Sequence, residues 1–155
     1  MIDPERFGHD LRLLGNLDGR ESRSPGSDLW ITRRPETGAD DLETLSGVDN
    51  LKQALLLRFL TPAGELAPLG HKDYGSRLHT LIGELDTETN RNRAKLYVLE
   101  ALAAEPRVEK VLEVKVGSDR RRPGRLDISV SAQVLDHDTP LNLVFPFFLE
   151  GTVSP

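Results

Sequence analysis

The stretch Leu126-Asp127-Ile128-Ser129-Val130-Ser131-Ala132-Gln133-Val134 decides the fold class. Apolar and polar residues alternate along it without a break. A period of two puts Leu126, Ile128, Val130, Ala132 and Val134 on one side of a pleated strand. Upstream, Leu112, Val114 and Val116 alternate with Glu113 and Lys115. Downstream, Leu141, Leu143, Phe145, Phe147 and Leu149 share one face. The turn-forming segments 117–124 and 136–140 separate the three runs. The pattern predicts an antiparallel three-stranded meander with one face covered by helices. Pro146 falls inside the last strand, and proline cannot donate to a ladder. That strand is therefore expected at an edge or a bulge. Its other face still carries Val144 and Phe148. An apolar, open edge is an aggregation hazard unless something covers it, so the sequence calls for a partner that adds a strand or packs there.

Working back toward the N-terminus, the period changes. Val48, Leu51, Leu55 and Phe59 fall at helical spacing over Gly47–Leu60, with Ser46 as N-cap and Asp49 in capping-box position. Ala54, Leu56, Leu57 and Leu60 widen the apolar face beyond one stripe, which implies contact on more than one side. Thr61-Pro62-Ala63-Gly64 ends this helix. Leu78, Leu81, Ile82 and Leu85 carry the i, i+3, i+4, i+7 signature of a second helix, with Asp73 or Ser76 to cap it. A third helix is expected from Glu88 to Ala104, capped by Thr87. Its buried face is Ala94, Tyr97, Val98, Ala101 and Leu102, and Pro106 stops it. The fold class expected is α+β: three helices followed by a three-stranded antiparallel sheet with an open edge. Residues 1–40 read as an N-terminal arm or loose hairpin. Two apolar pieces, Leu11–Leu14 and Leu29–Ile31, flank a turn-rich segment there. Residues 41–150 form the main domain and 151–155 a tail.

The chain has 155 residues, a net charge of −5 and no cysteine. One domain is expected. Disulfides and thiolate metal sites are excluded. An acidic balance argues against general nucleic-acid binding, where a basic field does most of the work. No apolar run reaches the roughly 20 residues of a membrane span, and no secretory signal opens the chain, so folding in the cytoplasm and no membrane insertion are expected. Arg120, Arg121, Arg122 and Arg125 form a local exception, either a solvated turn or a contact to an acidic neighbour. His9, His71, His79 and His137 show no metal-ligand spacing, and phosphate-loop and nucleophile motifs are missing. No cofactor and no metal are expected. A glycosidase would need two acids about 5–10 Å apart across a cleft. Glu84, Asp86, Glu88, Glu100 and Glu105 are candidates, yet aromatics, the usual sugar platforms, make up only 5% of the chain. The residues point away from an enzyme, with a lysozyme-like peptidoglycan hydrolase as the alternative.

Two stretches carry a family resemblance. One runs from Leu51-Lys-Gln-Ala-Leu55 through Leu60-Thr-Pro-Ala-Gly-Glu-Leu66 to Gly70-His-Lys-Asp-Tyr-Gly-Ser-Arg-Leu78. The other is Ala101-Leu-Ala-Ala-Glu-Pro-Arg-Val108, leading into Val111–Val116. In that order and spacing they resemble the gpW-type baseplate wedge family of contractile phage tails, type VI secretion (the TssE subunits) and extracellular contractile injection systems. The lead-in Asp41–Leu51 and Leu69-Gly-His71 look closest to the injection-system branch. Lys72 departs from the proline more typical before Tyr-Gly-Ser. The resemblance implies a structural subunit that links the wedge core bundle to the first sheath ring and templates sheath assembly by strand addition. It implies that Glu105, Pro106 and Arg107 contact the larger wedge subunits. Tyr74, Gly75 and Ser76 would build a turn and cap. The sheath protein is the second implied partner, and neighbouring baseplate or spike proteins are further ones. Leu143, Phe145, Pro146 and Phe147 mark a candidate sheath-pairing strand, in competition with the opposite edge near Val108–Val116. Some members of the family carry a lysozyme label.

Overall fold

A computed structural model describes residues 7–14 and 29–150. The turn-rich part of the expected arm (15–28) and the tail 151–155 lie outside the described residues. In chain order the elements are β1 (His9–Leu11), β2 (Ile31–Arg33), β3 (Asp40–Leu42), β4 (Thr44–Ser46), α1 (Gly47–Leu60), α2 (Glu88–Ala103), β5 (Val108–Ser118), β6 (Arg125–Val134) and β7 (Leu141–Phe148). Two short 3-10 turns, Ala67–Leu69 and Leu78–Leu81, lie between the helices. Among the described residues, no helix is long and apolar enough to cross a membrane, and no His/Asp/Glu group is arranged to hold a metal.

This corrects the fold class expected from the sequence. Among the described residues there are two α-helices, not three, and three separate sheets of two, two and three strands. The second expected helix is a single 3-10 turn. Leu78 and Leu81, three apart, are buried, but Ile82 and Leu85 are 51% and 77% exposed. Ile82 is extended and Gly83 has φ +94°, so the chain turns out of any helix there. The Gly83 N–H instead bonds the Leu149 carbonyl at 2.6 Å. The two small sheets, β1–β4 and β2–β3, were not expected as such.

The three-stranded sheet runs β5-β6-β7, antiparallel throughout. Leu126, Ile128, Val130, Ala132 and Val134 are all buried, with Leu141, Leu143, Phe145 and Phe147 beside them. Helix α1 brings Leu51, Leu55, Leu56 and Phe59 to this face, and α2 brings Ala94, Val98, Ala101 and Leu102. Phe59 stacks on Phe145 with centroids 5.1 Å apart and planes 12° apart. Thr87 accepts a capping bond from the Asn90 N–H at 3.2 Å. Ser46 stands at the N-cap of α1 but makes no side-chain cap bond.

Two buried amides of α1 fasten the N-terminal strand. Asn50 Nδ2 donates to the Phe7 carbonyl at 2.9 Å. Gln53 Nε2 donates to the Leu11 carbonyl at 2.8 Å, and its Oε1 accepts from Leu13 and Leu14. Buried side-chain polar groups are costly unless bonded, and here the bonds hold β1 against the domain.

Candidate functional site

The chain segment after α1 folds back on itself to build a joint. Thr61 Oγ1 donates to the Leu57 carbonyl at 2.6 Å and closes the helix. Pro62 and Ser76 then form an isolated parallel bridge. The Ser76 N–H bonds the Thr61 carbonyl at 2.8 Å, and Ala63 N–H bonds the Ser76 carbonyl at 2.9 Å. Ser76 Oγ donates to the Phe59 carbonyl and accepts from the Leu78 N–H. Gly75 has φ +106°, and a Cβ there would sit 2.6 Å from the Thr61 carbonyl oxygen. Only glycine fits this crossing.

The joint brings Tyr74 to the end of α1, where the Arg58 guanidinium lies 4.7 Å from its ring centroid. Arg58 also reaches Glu105, with Nη2 to Oε2 at 3.4 Å. Glu105 follows the end of α2 and its side chain is 4% exposed. Arg107 grips the same carboxylate, Nε to Oε1 at 2.6 Å and Nη2 to Oε2 at 3.2 Å, and its backbone N–H adds a third bond at 3.3 Å. Pro106, between Glu105 and Arg107, is exposed. One buried donor, Arg58 Nε, has no partner among the described residues.

Burial alone would raise the Glu105 carboxyl. The hydrogen bonds and charge of Arg107, with Arg58 behind it, outweigh burial and hold it below the ordinary glutamate value. Burial pushes the Tyr74 phenol above its ordinary value, against the charge of Arg58. The arrangement is therefore a buried anion gripped by two cations, with Pro106 and part of Arg107 facing outward. It can position a surface rigidly, and it holds a proton poorly.

The structure thus brings Glu105 and Arg107 close to Tyr74, although Tyr74 and Glu105 are 31 positions apart in sequence. Sequence reading missed Arg58, which joins them. Its signal is a lone charge inside Leu55-Leu56-Leu57-Arg58-Phe59-Leu60, an apolar run in which a cation needs a partner. A second clamp ties the following turn to α2: Arg77 binds both Glu100 oxygens and lies 4.4 Å from the Tyr97 ring centroid.

The sheet edges differ. Leu143, Phe145 and Phe147 face the core with their side chains, while Pro146 lies on the other face, opposite Asp127. The Leu149 N–H bonds the Gly124 carbonyl at 2.7 Å, which sets the phase of the β6–β7 ladder. With the observed register, Asn142, Val144, Pro146 and Phe148 are the positions directed outward. Proline interrupts that outward row of donors. On β5, register shifts after Val108 and after Val111 leave Glu109 and Leu112 as extra residues, so the regular edge runs from Glu113 to Ser118.

Comparison with solved structures finds similarity to a protein from Geobacter sulfurreducens provisionally named a tail lysozyme. Identity is 28% and the TM-score 0.55, over 65% of this chain and 89% of that chain. No family model matches the chain, and no curated protein matches it.

Proposed function

We propose that this chain is a structural baseplate wedge subunit of a contractile, phage-tail-like particle, of the gpW type. In this reading it joins the core bundle of larger wedge subunits to the first sheath ring. The observation that carries the reading is the similarity to a tail protein across 89% of that protein's length. The Glu105 clasp supports it. Pro106 and the outer part of Arg107 form a small rigid contact point, fixed from beneath by Glu105 and Arg58, as an assembly joint requires. Tyr74, Gly75 and Ser76 build the crossing that holds Arg58 in place. The sheath protein is the second partner, pairing with an edge of the β5-β6-β7 sheet by backbone hydrogen bonds. Assembly takes place in the cytoplasm, with no cofactor, no nucleic acid and no membrane insertion.

The neighbour's name favours one alternative, a peptidoglycan hydrolase. A glycosidase acid must keep its proton near neutral pH, which calls for a raised carboxyl pKa. Glu105 is shifted the other way. That weighs against it as a general acid.

The test is deletion of the gene in its native background, with Arg107→Ala as the point variant and electron microscopy of purified particles. Tubes and baseplate parts without assembled sheath are expected, and Arg107→Ala is expected to fold yet fail to join the wedge. Sheathed particles at normal yield in both strains would overturn the proposal. Release of muropeptides by the purified protein would favour the hydrolase.

A further inference from the structure

The described arginines are almost all engaged. Among the described residues, every arginine outside the β5–β6 turn makes a side-chain hydrogen bond or ion pair, and Arg125 at its end pairs with Asp127. Arg120, Arg121 and Arg122 are the exceptions: all three are exposed and have no side-chain partner among the described residues. Acids outnumber Lys and Arg by 25 to 20 over the sequence, so carboxylates are not in short supply. Three consecutive guanidinium groups without a described partner are a departure from the other described arginines.

The turn that carries them is built. The Asp119 side chain accepts from the Arg121 N–H at 2.9 Å, and its carbonyl accepts from the Arg122 N–H at 3.0 Å. The Arg122 carbonyl accepts from the Arg125 N–H at 3.1 Å. Gly124, at φ +78°, packs against the Glu150 side chain, and its carbonyl takes the Leu149 N–H. The backbone is thus fastened at both ends while the arginine side chains are left unspent.

We propose that this tip docks a carboxylate-rich segment of a neighbouring protein. A guanidinium presents paired donors that match a carboxylate two at a time. Nucleic acid offers similar anions, but the field around the tip disfavours it. The chain is net negative, and Glu84, Asp86 and Glu88 are exposed on the segment that Arg91 ties to the turn, through Asp86 at 3.2 Å and Ser118 Oγ at 3.3 Å. A polyanion long enough to span several charges meets those acids. A short acidic peptide engages the tip alone. This inference does not depend on the tail reading, because it is tested on the isolated chain.

Binding of a hexaglutamate peptide and of a short DNA duplex to the purified protein would be measured by fluorescence anisotropy at low and moderate salt. The peptide is expected to bind, more weakly as salt rises. Replacing Arg120, Arg121 and Arg122 together by alanine should weaken it about tenfold, from roughly three exposed pairs. Lys110→Ala, an exposed cation elsewhere, should leave binding unchanged. Should the triple variant lose its fold, Arg121→Glu alone decides: loss of about threefold or more supports the assignment and unchanged binding refutes it. Equal weakening by Lys110→Ala, failure of the unaltered protein to bind the peptide, or tighter binding of the duplex would each overturn it.

Discussion

The C-terminal sheet and the β2–β3 ribbon are both antiparallel, yet they are stabilised by different things. In β6, the buried residues alternate with half-buried ones along all ten positions. Strands β6 and β7 each turn one whole face to the core, while β5 buries only Val114 there. In the ribbon, three-residue strands pair Ile31 with Leu42 and Arg33 with Asp40, and almost every residue is exposed. The sheet is held by burial of apolar area. The ribbon is held by backbone pairs, by the Arg34–Asp41 ion pair and by the Arg12 guanidinium 5.1 Å from the Trp30 ring centroid. An isolated two-stranded ribbon is marginal in water. The contrast separates the part of this chain that sets its stability from the part that only extends it.

The largest effect should come from the helix side of the sheet's core. Phe59 is 1% exposed and stacks on Phe145, so Phe59→Ala removes a ring and leaves a cavity between α1 and β7. A loss of about 3–5 kcal/mol is expected by urea unfolding. A loss below about 1 kcal/mol would mean that the two layers are not the source of stability, and the contrast with the ribbon would fall.

The Glu105 clasp gives a smaller effect with a pH signature. Its folded pKa is depressed, so the stabilisation is fully present above the unfolded value of about 4.3 and is lost as pH falls through the folded pKa. Glu105→Gln keeps the shape but loses the charge. It should cost about 2 kcal/mol at neutral pH and flatten the acid limb of the stability curve below pH ~4. The check is thermal unfolding from pH 3 to 7. Parallel acid limbs in the two proteins would show that the carboxylate is not held by its arginines.

The same division explains what the sequence reveals. Strict alternation in 126–134 has one physical reading, a half-buried strand, and the register follows from the two turns around it. Helices α1 and α2 are legible for the same reason at a period near 3.6. The Leu78–Leu85 segment misleads because Ile82 and Leu85 complete a helical pattern without being buried. Periodicity reports which residues are apolar, and the burial that gives it meaning is decided by Gly83 and by Leu149 from the far end of the chain. Glu105, Pro106 and Arg107 stand out as a motif. Arg58 does not, because its partners Tyr74 and Glu105 are distant in sequence and meet it only through the Gly75 crossing. The ribbon is hardest to read, since strands of three residues leave too few alternations to count.

The smallest effect sharpens that last point. Ile31 is 66% exposed and its partner Leu42 39% exposed, so neither is removed from water by the rest of the described chain. Ile31→Ala deletes little buried area and should change stability by less than about 0.5 kcal/mol. The measurement is urea unfolding at two protein concentrations. A loss above about 1 kcal/mol that grows with concentration would mean that Ile31 is covered by another copy in solution. A comparable loss independent of concentration would mean that the ribbon packs on its own chain, and the ribbon would then belong with the sheet as part of the folded core. A near-zero change leaves Ile31 and Leu42 as apolar surface whose burial must come from outside the chain.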